Sequence, residues 1–165
     1  MPLSAPITGR KRADDNPGQP EVLPGLALRV TRTERTGPGM TDKERPWPGC
    51  IRSIVRAHLR SWRCENASAD AELIATELVT NAFQHGSGAE IGVRMTLTPT
   101  HLRFEIDSGP GSRPRPSARA VGQLEEGGRG LLLVAGLCDA WGVSPDGSRT
   151  WCTLTVAADQ PGPGR

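Results

Sequence analysis

Apolar and polar positions along this chain of 165 residues alternate with two distinct periods. From Pro48 to about Arg63, Ile51, Ile54, Val55, Leu59 and Trp62 recur at steps of three and four, with Arg52, Arg56, Arg60 and Arg63 mostly between them. That period predicts an amphipathic helix, and Pro48 suits its first turn, where an N–H would lack a partner anyway. A second helix is predicted from about Ser68, read as its cap, to Gln84 or His85, with Gly86 and Gly88 ending it. The period then changes to two. Ile91, Val93, Met95 and Leu97, and after the turn at 98–101 Leu102, Phe104 and Ile106, alternate with polar residues or glycine. This predicts a hairpin with one buried and one wet face. A third helix is predicted from near Gly130 through Leu137, and a closing hairpin from strands at 140–145 and 150–157 around Asp146-Gly147.

The stretches between these elements set the domain limits. Residues 1–45 are rich in proline, glycine and charge and poor in apolar surface, so they are expected to form a mostly disordered arm. Within it Leu26, Leu28 and Val30 alternate and predict an edge strand over about 26–32. The folded domain is expected over 46–158, with a tail at 159–165. The segment from Ser108 to Glu126, dense in Gly, Pro, Ser and Arg, reads as a long loop, and loops of that length are usually functional lids or disordered. The order helix, helix, hairpin, loop, helix, hairpin implies an α+β fold. Its economical form is a two-layer α/β sandwich, an antiparallel or mixed sheet covered on one face by three helices.

Composition removes several chemistries. Of 20 basic residues only Lys11 and Lys43 are lysines, and both precede the predicted domain. Neither a Walker-type phosphate loop nor a eukaryotic-type kinase site can be built without its lysine, and a Schiff-base enzyme fails for the same reason. The four cysteines, Cys50, Cys64, Cys138 and Cys152, form no Cys-x-x-Cys pair and read as small buried hydrophobes rather than zinc ligands. A net charge of +2 gives no field that points to nucleic acid or an anionic membrane. With no apolar run of membrane-spanning length and no secretory signal pattern, a cytoplasmic protein is expected.

Three polar clusters stand where chemistry could sit. Glu77, Asn81 and His85 are spaced by four and form a stripe along the second helix beside Ile74, Leu78 and Ala82. Asp107-Ser-Gly-Pro-Gly111 closes a strand, where a carboxylate can accept from an amino group and Gly109 and Gly111 allow close approach of a flat ligand. Gly127-Gly-Arg-Gly130 opens the third helix, whose free N–H groups and positive dipole end suit an anion or phosphate. Each alone is ordinary: a solvent-facing helix side, an Asp-Gly turn, a helix that starts after glycine.

Together and in this order, Glu77-Leu-Val-Thr-Asn-Ala-Phe-Gln-His85, Asp107-x-Gly-x-Gly111 and Gly128-x-Gly130 resemble the N, G1 and G2 boxes of the GHKL ATPase superfamily. Glu-Leu-Val-Thr-Asn-Ala, the short chain, Trp141-Gly-Val143 and Trp151 are similar to the small anti-sigma-factor serine/threonine kinases, over about residues 48–157. The resemblance implies ATP and Mg²⁺ as cofactors. It implies Asn81 as the oxygen ligand of Mg²⁺ and Glu77 as the general base on a substrate hydroxyl. Asp107 would accept from the adenine amino group, Gly109 and Gly111 would shape the base pocket, and Gly128, Arg129 and Gly130 would close on the phosphates. Residues 110–126 would be the lid, whose Arg113, Arg115 and Arg119 meet either phosphate or solvent; His85 contacts the ligand or merely caps and packs. One position fits imperfectly. In a regular strand Asp107 shares a face with Arg103 and Glu105, opposite Phe104 and Ile106, so an adenine contact requires a bulge or twist before it.

The expected function is that of an ATP-binding regulator that phosphorylates a Ser or Thr of an antagonist protein and holds a sigma factor. No direct nucleic-acid or membrane contact is expected, and a homodimer stays open. The alternative is a module that binds ATP without transferring phosphate, the nucleotide only setting the shape shown to a partner. A detached histidine-kinase catalytic domain ranks third, because His58 lies in a short helix of the domain itself and no dimerisation heptads precede it.

Overall fold

In the computed structural model the described residues are 23–34, 39–110 and 129–156. In chain order they form β1 (Leu23–Thr31), α1 (Trp47–Ser61), a single 3₁₀ turn (Glu65–Ala67), α2 (Ser68–His85), β2 (Glu90–Leu97), β3 (His101–Asp107), α3 (Arg129–Leu137), β4 (Ala140–Val143) and β5 (Arg149–Thr155). The strands make one five-stranded sheet in the order β1-β2-β3-β5-β4. Every described pairing is antiparallel, so the mixed alternative is not realised.

The sheet register sorts side chains onto two faces, because residues directly opposite share a face. Leu28, Val93, Ile106 and Thr150 stand in one row, and Leu26, Met95, Phe104, Cys152 and Trp141 in the next. This face is buried under helices: α1 contributes Ile51, Val55 and Leu59, α2 contributes Ile74, Leu78 and Phe83, and α3 contributes Leu131 and Val134. The opposite face carries Arg29, Arg94, Arg103 and Arg149 with Glu90, Glu105 and Asp107, joined as ion pairs. Arg103 lies over the Trp151 ring at 4.6 Å, and the indole of Trp151 in turn covers Gly142.

Two local readings change in the structure. Ser68 does not cap α2: the 3₁₀ turn runs straight into the helix, Ala67 takes the cap position, and Ser68 Oγ donates to Glu72 Oε1 at 2.6 Å. That bond belongs to a cluster around the buried Glu72, in which the exposed Arg56 of α1 grips both Glu72 oxygens, at 2.9 and 2.5 Å, and ties α1 to α2. The edge strand expected over about 26–32 is present as β1, and the described residues before 46 also include a turn that was not expected. β1 extends the sheet as its edge strand, with a register shift at Pro24–Gly25, and a tight turn over 41–46 buries Glu44, 1 % exposed. Its carboxylate accepts from the backbone N–H of Thr33 (3.1 Å) and of Thr41 (2.9 Å). The predicted tail at 159–165 and residues 1–22 lie outside the described residues.

Both buried carboxylates are held below their ordinary value of 4.5. For Glu44 burial works upward, but the N–H groups of Thr41 and Thr33 and their hydroxyls outweigh it; for Glu72 the Arg56 hydrogen bonds dominate, against burial, with Ser68 assisting. A carboxyl whose folded value is depressed contributes stability that is complete above its unfolded value and lost as pH falls through the folded one. Thermal unfolding followed by circular dichroism should therefore give a flat Tm above about pH 5 and a falling one below 4.5. Glu72→Gln should lower Tm at neutral pH and make the acid fall shallower; an unchanged acid slope would remove Glu72 from this role.

Candidate functional site

The site is built around α2, which must bury one side and expose another. Ala71, Ile74, Ala75, Leu78, Val79, Ala82 and Phe83 are buried, while Glu77 and Asn81, on the neighbouring i, i+4 line, are half-buried and His85 at the helix end is exposed. Neither the Glu77 carboxylate nor the Asn81 carboxamide makes a hydrogen bond or ion pair among the described residues.

One described glycine of each cluster comes to this helix or to the turn that follows it. In the first turn of α3, Gly130 lies directly on Glu77, so closely that a Cβ added at 130 would collide with Glu77 Oε2. The lack of a side chain at 130 is what lets the amino-terminal turn of α3, the positive end of its dipole, approach the carboxylate. At the other end of the stripe the β3 terminus is stitched to the end of α2. Ser87 N and Gly88 N donate to Ser108 O at 3.0 and 2.9 Å, and Ser87 Oγ donates to Pro110 O. Gly109 has φ +90, a conformation open to glycine, and a Cβ there would overlap the backbone of Gly88. Gly130 thus lies against Glu77 and Gly109 against Gly88 in the turn after α2, while Glu77 and Asn81 share one line of that helix. Gly111 and Gly128, the lid over 111–126 and its arginines lie outside the described residues, as does the side chain of Arg129.

Asp107 is not gathered with them. The register through Gly92, Asp107 and Arg149 is unbroken, so no bulge turns the residue, and its side chain belongs to the open face. There Oδ1 accepts from Gly109 N at 3.1 Å, an Asx turn, and Oδ2 lies 3.7 Å from Arg149 Nη2. Ser108 takes the inward position instead, 5 % exposed, its N–H bonded to Ser148 O at 2.8 Å. Asp107 also borders a trough of about 410 Å³ shared with Arg29, Gly92, Arg94, Glu105 and Arg149. Glu77, Asn81 and Gly130 have no part in its lining, and its arginines are already matched by acids, so it is a feature of the open face rather than the candidate site.

Arg32 was not anticipated. Just beyond β1, its guanidinium donates to the carbonyls of Phe83 (2.5 Å), Gly86 and Gly88 (3.4 Å) at the end of α2. Nothing local in Thr31-Arg-Thr-Glu34 marks that long-range contact. Glu44 did carry a signal: Thr41-x-x-Glu44 is a capping box, and Glu44 reaches back to the Thr41 N–H as such a box does.

This layered α+β arrangement sets the polar stripe of one helix against the start of another. The family model of the histidine kinase-like ATPase domain matches residues 48–155, more than half of the chain, and the protein belongs to that family. It is an ATP-binding protein of the GHKL type. No curated protein matches the chain. Among the described residues no helix is long and apolar enough to cross a membrane.

Two substitutions separate backbone from side-chain roles at the G1 segment. Gly109→Ala should destabilise the protein by more than ~1–2 kcal/mol in urea titrations, the ordinary cost of a left-handed Ala, since backbone overlap adds to it. Asp107→Asn should weaken ATP binding by no more than about fivefold, the ~1 kcal/mol ceiling of an exposed ion pair. A loss well beyond tenfold by calorimetry would mean that the carboxylate turns inward to meet adenine.

Proposed function

We propose that this protein is an anti-sigma-factor-type serine/threonine kinase that transfers the ATP γ-phosphate to a Ser or Thr of a protein partner in the cytoplasm. The observation that carries the reading is the contact of Gly130 with Glu77, which brings an anion-attracting helix start to a carboxylate one turn from Asn81. ATP phosphates at the α3 terminus would lie among Gly128, Arg129 and Gly130, within reach of the stripe. Asn81 offers a hard oxygen donor of the sort Mg²⁺ accepts together with phosphate oxygens and water, so the residues present fit that ion. Bound Mg²⁺ would supply neutralisation of the phosphate charge.

Glu77 is the base. It takes the proton of the substrate hydroxyl as that oxygen bonds to the γ-phosphorus and the bond to the ADP oxygen breaks. Half-burial beside Gly130 leaves the carboxylate accessible to a hydroxyl brought by a partner. Gly109 and the Ser108 backbone form the wall toward the base, and His85, exposed at the helix end, serves that boundary. Such a protein acts on a sigma factor and on that factor's antagonist, and both partners belong to this reading.

Asn81→Ala should abolish Mg²⁺-dependent ATP binding measured by calorimetry; unchanged affinity would remove the metal assignment. Glu77→Gln should bind ATP as the parent does and transfer phosphate about 10²–10⁴-fold more slowly to proteins captured with the chain, read by radiolabel and phosphosite mapping. If the unmodified protein binds ATP yet labels none of its captured partners, the kinase assignment fails and a non-catalytic, nucleotide-set binding module takes its place.

A further inference from the structure

The end of α2 lacks the usual glycine device for finishing a helix. Gly86 follows the last helical residue with φ -66 and ψ 153, extended rather than left-handed, so the paired backbone bonds of a glycine-terminated helix do not form. The Gly86 N–H turns back, to Ala82 O at 2.8 Å. The Phe83 carbonyl and those of Gly86 and Gly88 just beyond are taken instead by the three-pronged grip of Arg32. A planar guanidinium with five N–H groups can serve several carbonyls at once, and a cation is favoured at the negative end of a helix. Arg32 is itself fixed from both sides along the chain. Its N–H bonds Ala89 O at 2.9 Å, continuing the β1–β2 ladder, and the N–H of the next residue, Thr33, bonds the buried Glu44 carboxylate. The Thr33 and Thr41 hydroxyls, 2.7 Å apart, close that loop.

The gripped turn is the one whose Ser87 and Gly88 N–H groups hold Ser108 O, and whose Gly88 packs on Gly109. We infer that Arg32, braced by Glu44, is a positioning residue of the nucleotide site: it fixes the turn that joins the carboxyl end of the Asn81 helix to the Ser108–Gly109 segment. Both residues precede the span that matches the family model, so the site depends on chain outside that span. This rests on the nucleotide reading above, since Arg32 touches no reacting group and acts only through the turn.

The test uses the full chain, with Mg²⁺ and ATP as the probe, and compares Arg32→Met, Arg32→Lys and Glu44→Gln. Calorimetry gives the ATP Kd, and amide hydrogen exchange of the free protein reports residues 83–89 and 108–109 against the central strand residues 102–106. Arg32→Met should raise Kd by about 10–100-fold, the range seen when a supporting shell is lost. Exchange should quicken at 83–89 and 108–109 but not at 102–106. Arg32→Lys, a point charge without the fork, should recover part of the affinity, and Glu44→Gln should shift both readouts the same way to a smaller extent. Quickened exchange at the turn with Kd within twofold of the parent would reduce Arg32 to a structural cap and overturn the inference. Quickened exchange everywhere in both Arg32→Met and Glu44→Gln would overturn it too. A parent protein that fails to bind ATP would instead sink the nucleotide reading.

Discussion

The whole arrangement depends on α2 packing on the sheet while keeping one polar line clear of it. Phe83, Leu78 and Ile74 are buried completely or nearly so, and burial of each such side chain is worth on the order of 1.5–3 kcal/mol. That grip fixes the rotation of the helix about its axis. Once the rotation is fixed, Glu77 and Asn81 have no freedom to turn inward or fully outward, and they emerge at the border where α3 arrives. The same apolar face that stabilises the domain therefore aims its chemistry. A helix set by weaker burial would leave the carboxylate and the carboxamide pointing along an uncertain direction.

Around this helix the neighbouring pieces arrive with little side-chain bulk between them. Gly130 permits the start of α3 to touch Glu77, and Gly88 and Gly109 permit two backbones to meet. Close backbone approach has an entropic cost in the unfolded chain, since glycine has the most freedom to lose. Here that cost is offset by buried leucines, isoleucines and valines elsewhere, with Arg56 and Glu72 tying α1 to the same helix.

Much of this was legible in the sequence because it rests on local periods. The shift from a period of three to four to a period of two located α1, α2, β2 and β3 to within a residue or two, and the four-residue spacing of Glu77 and Asn81 placed them on one line. Strand parity also marked Asp107 as facing away from the core, and the structure keeps that parity rather than breaking it. What escaped was non-local. Ser68 looked like a cap because nothing in the sequence shows that a 3₁₀ turn precedes it, and its hydroxyl serves Glu72 instead. Arg32 meets carbonyls more than fifty positions away, and no period or spacing encodes such a contact. The proline- and glycine-rich composition of the arm also masked the ordered turn around Glu44, since composition averages over a segment while one buried carboxylate acts at a point.

The register shift at Pro24–Gly25 has an effect on how copies of this chain can meet. An edge strand with a free row of N–H and C=O groups is a template for recruiting another strand, the route to fibrils and unplanned assemblies. On β1 that row is interrupted by a proline, which lacks the donor, and by an irregular step in the ladder, while Arg29 and Thr31 add polarity along the remainder. A continuous ribbon across two copies through this strand would have to bridge that interruption.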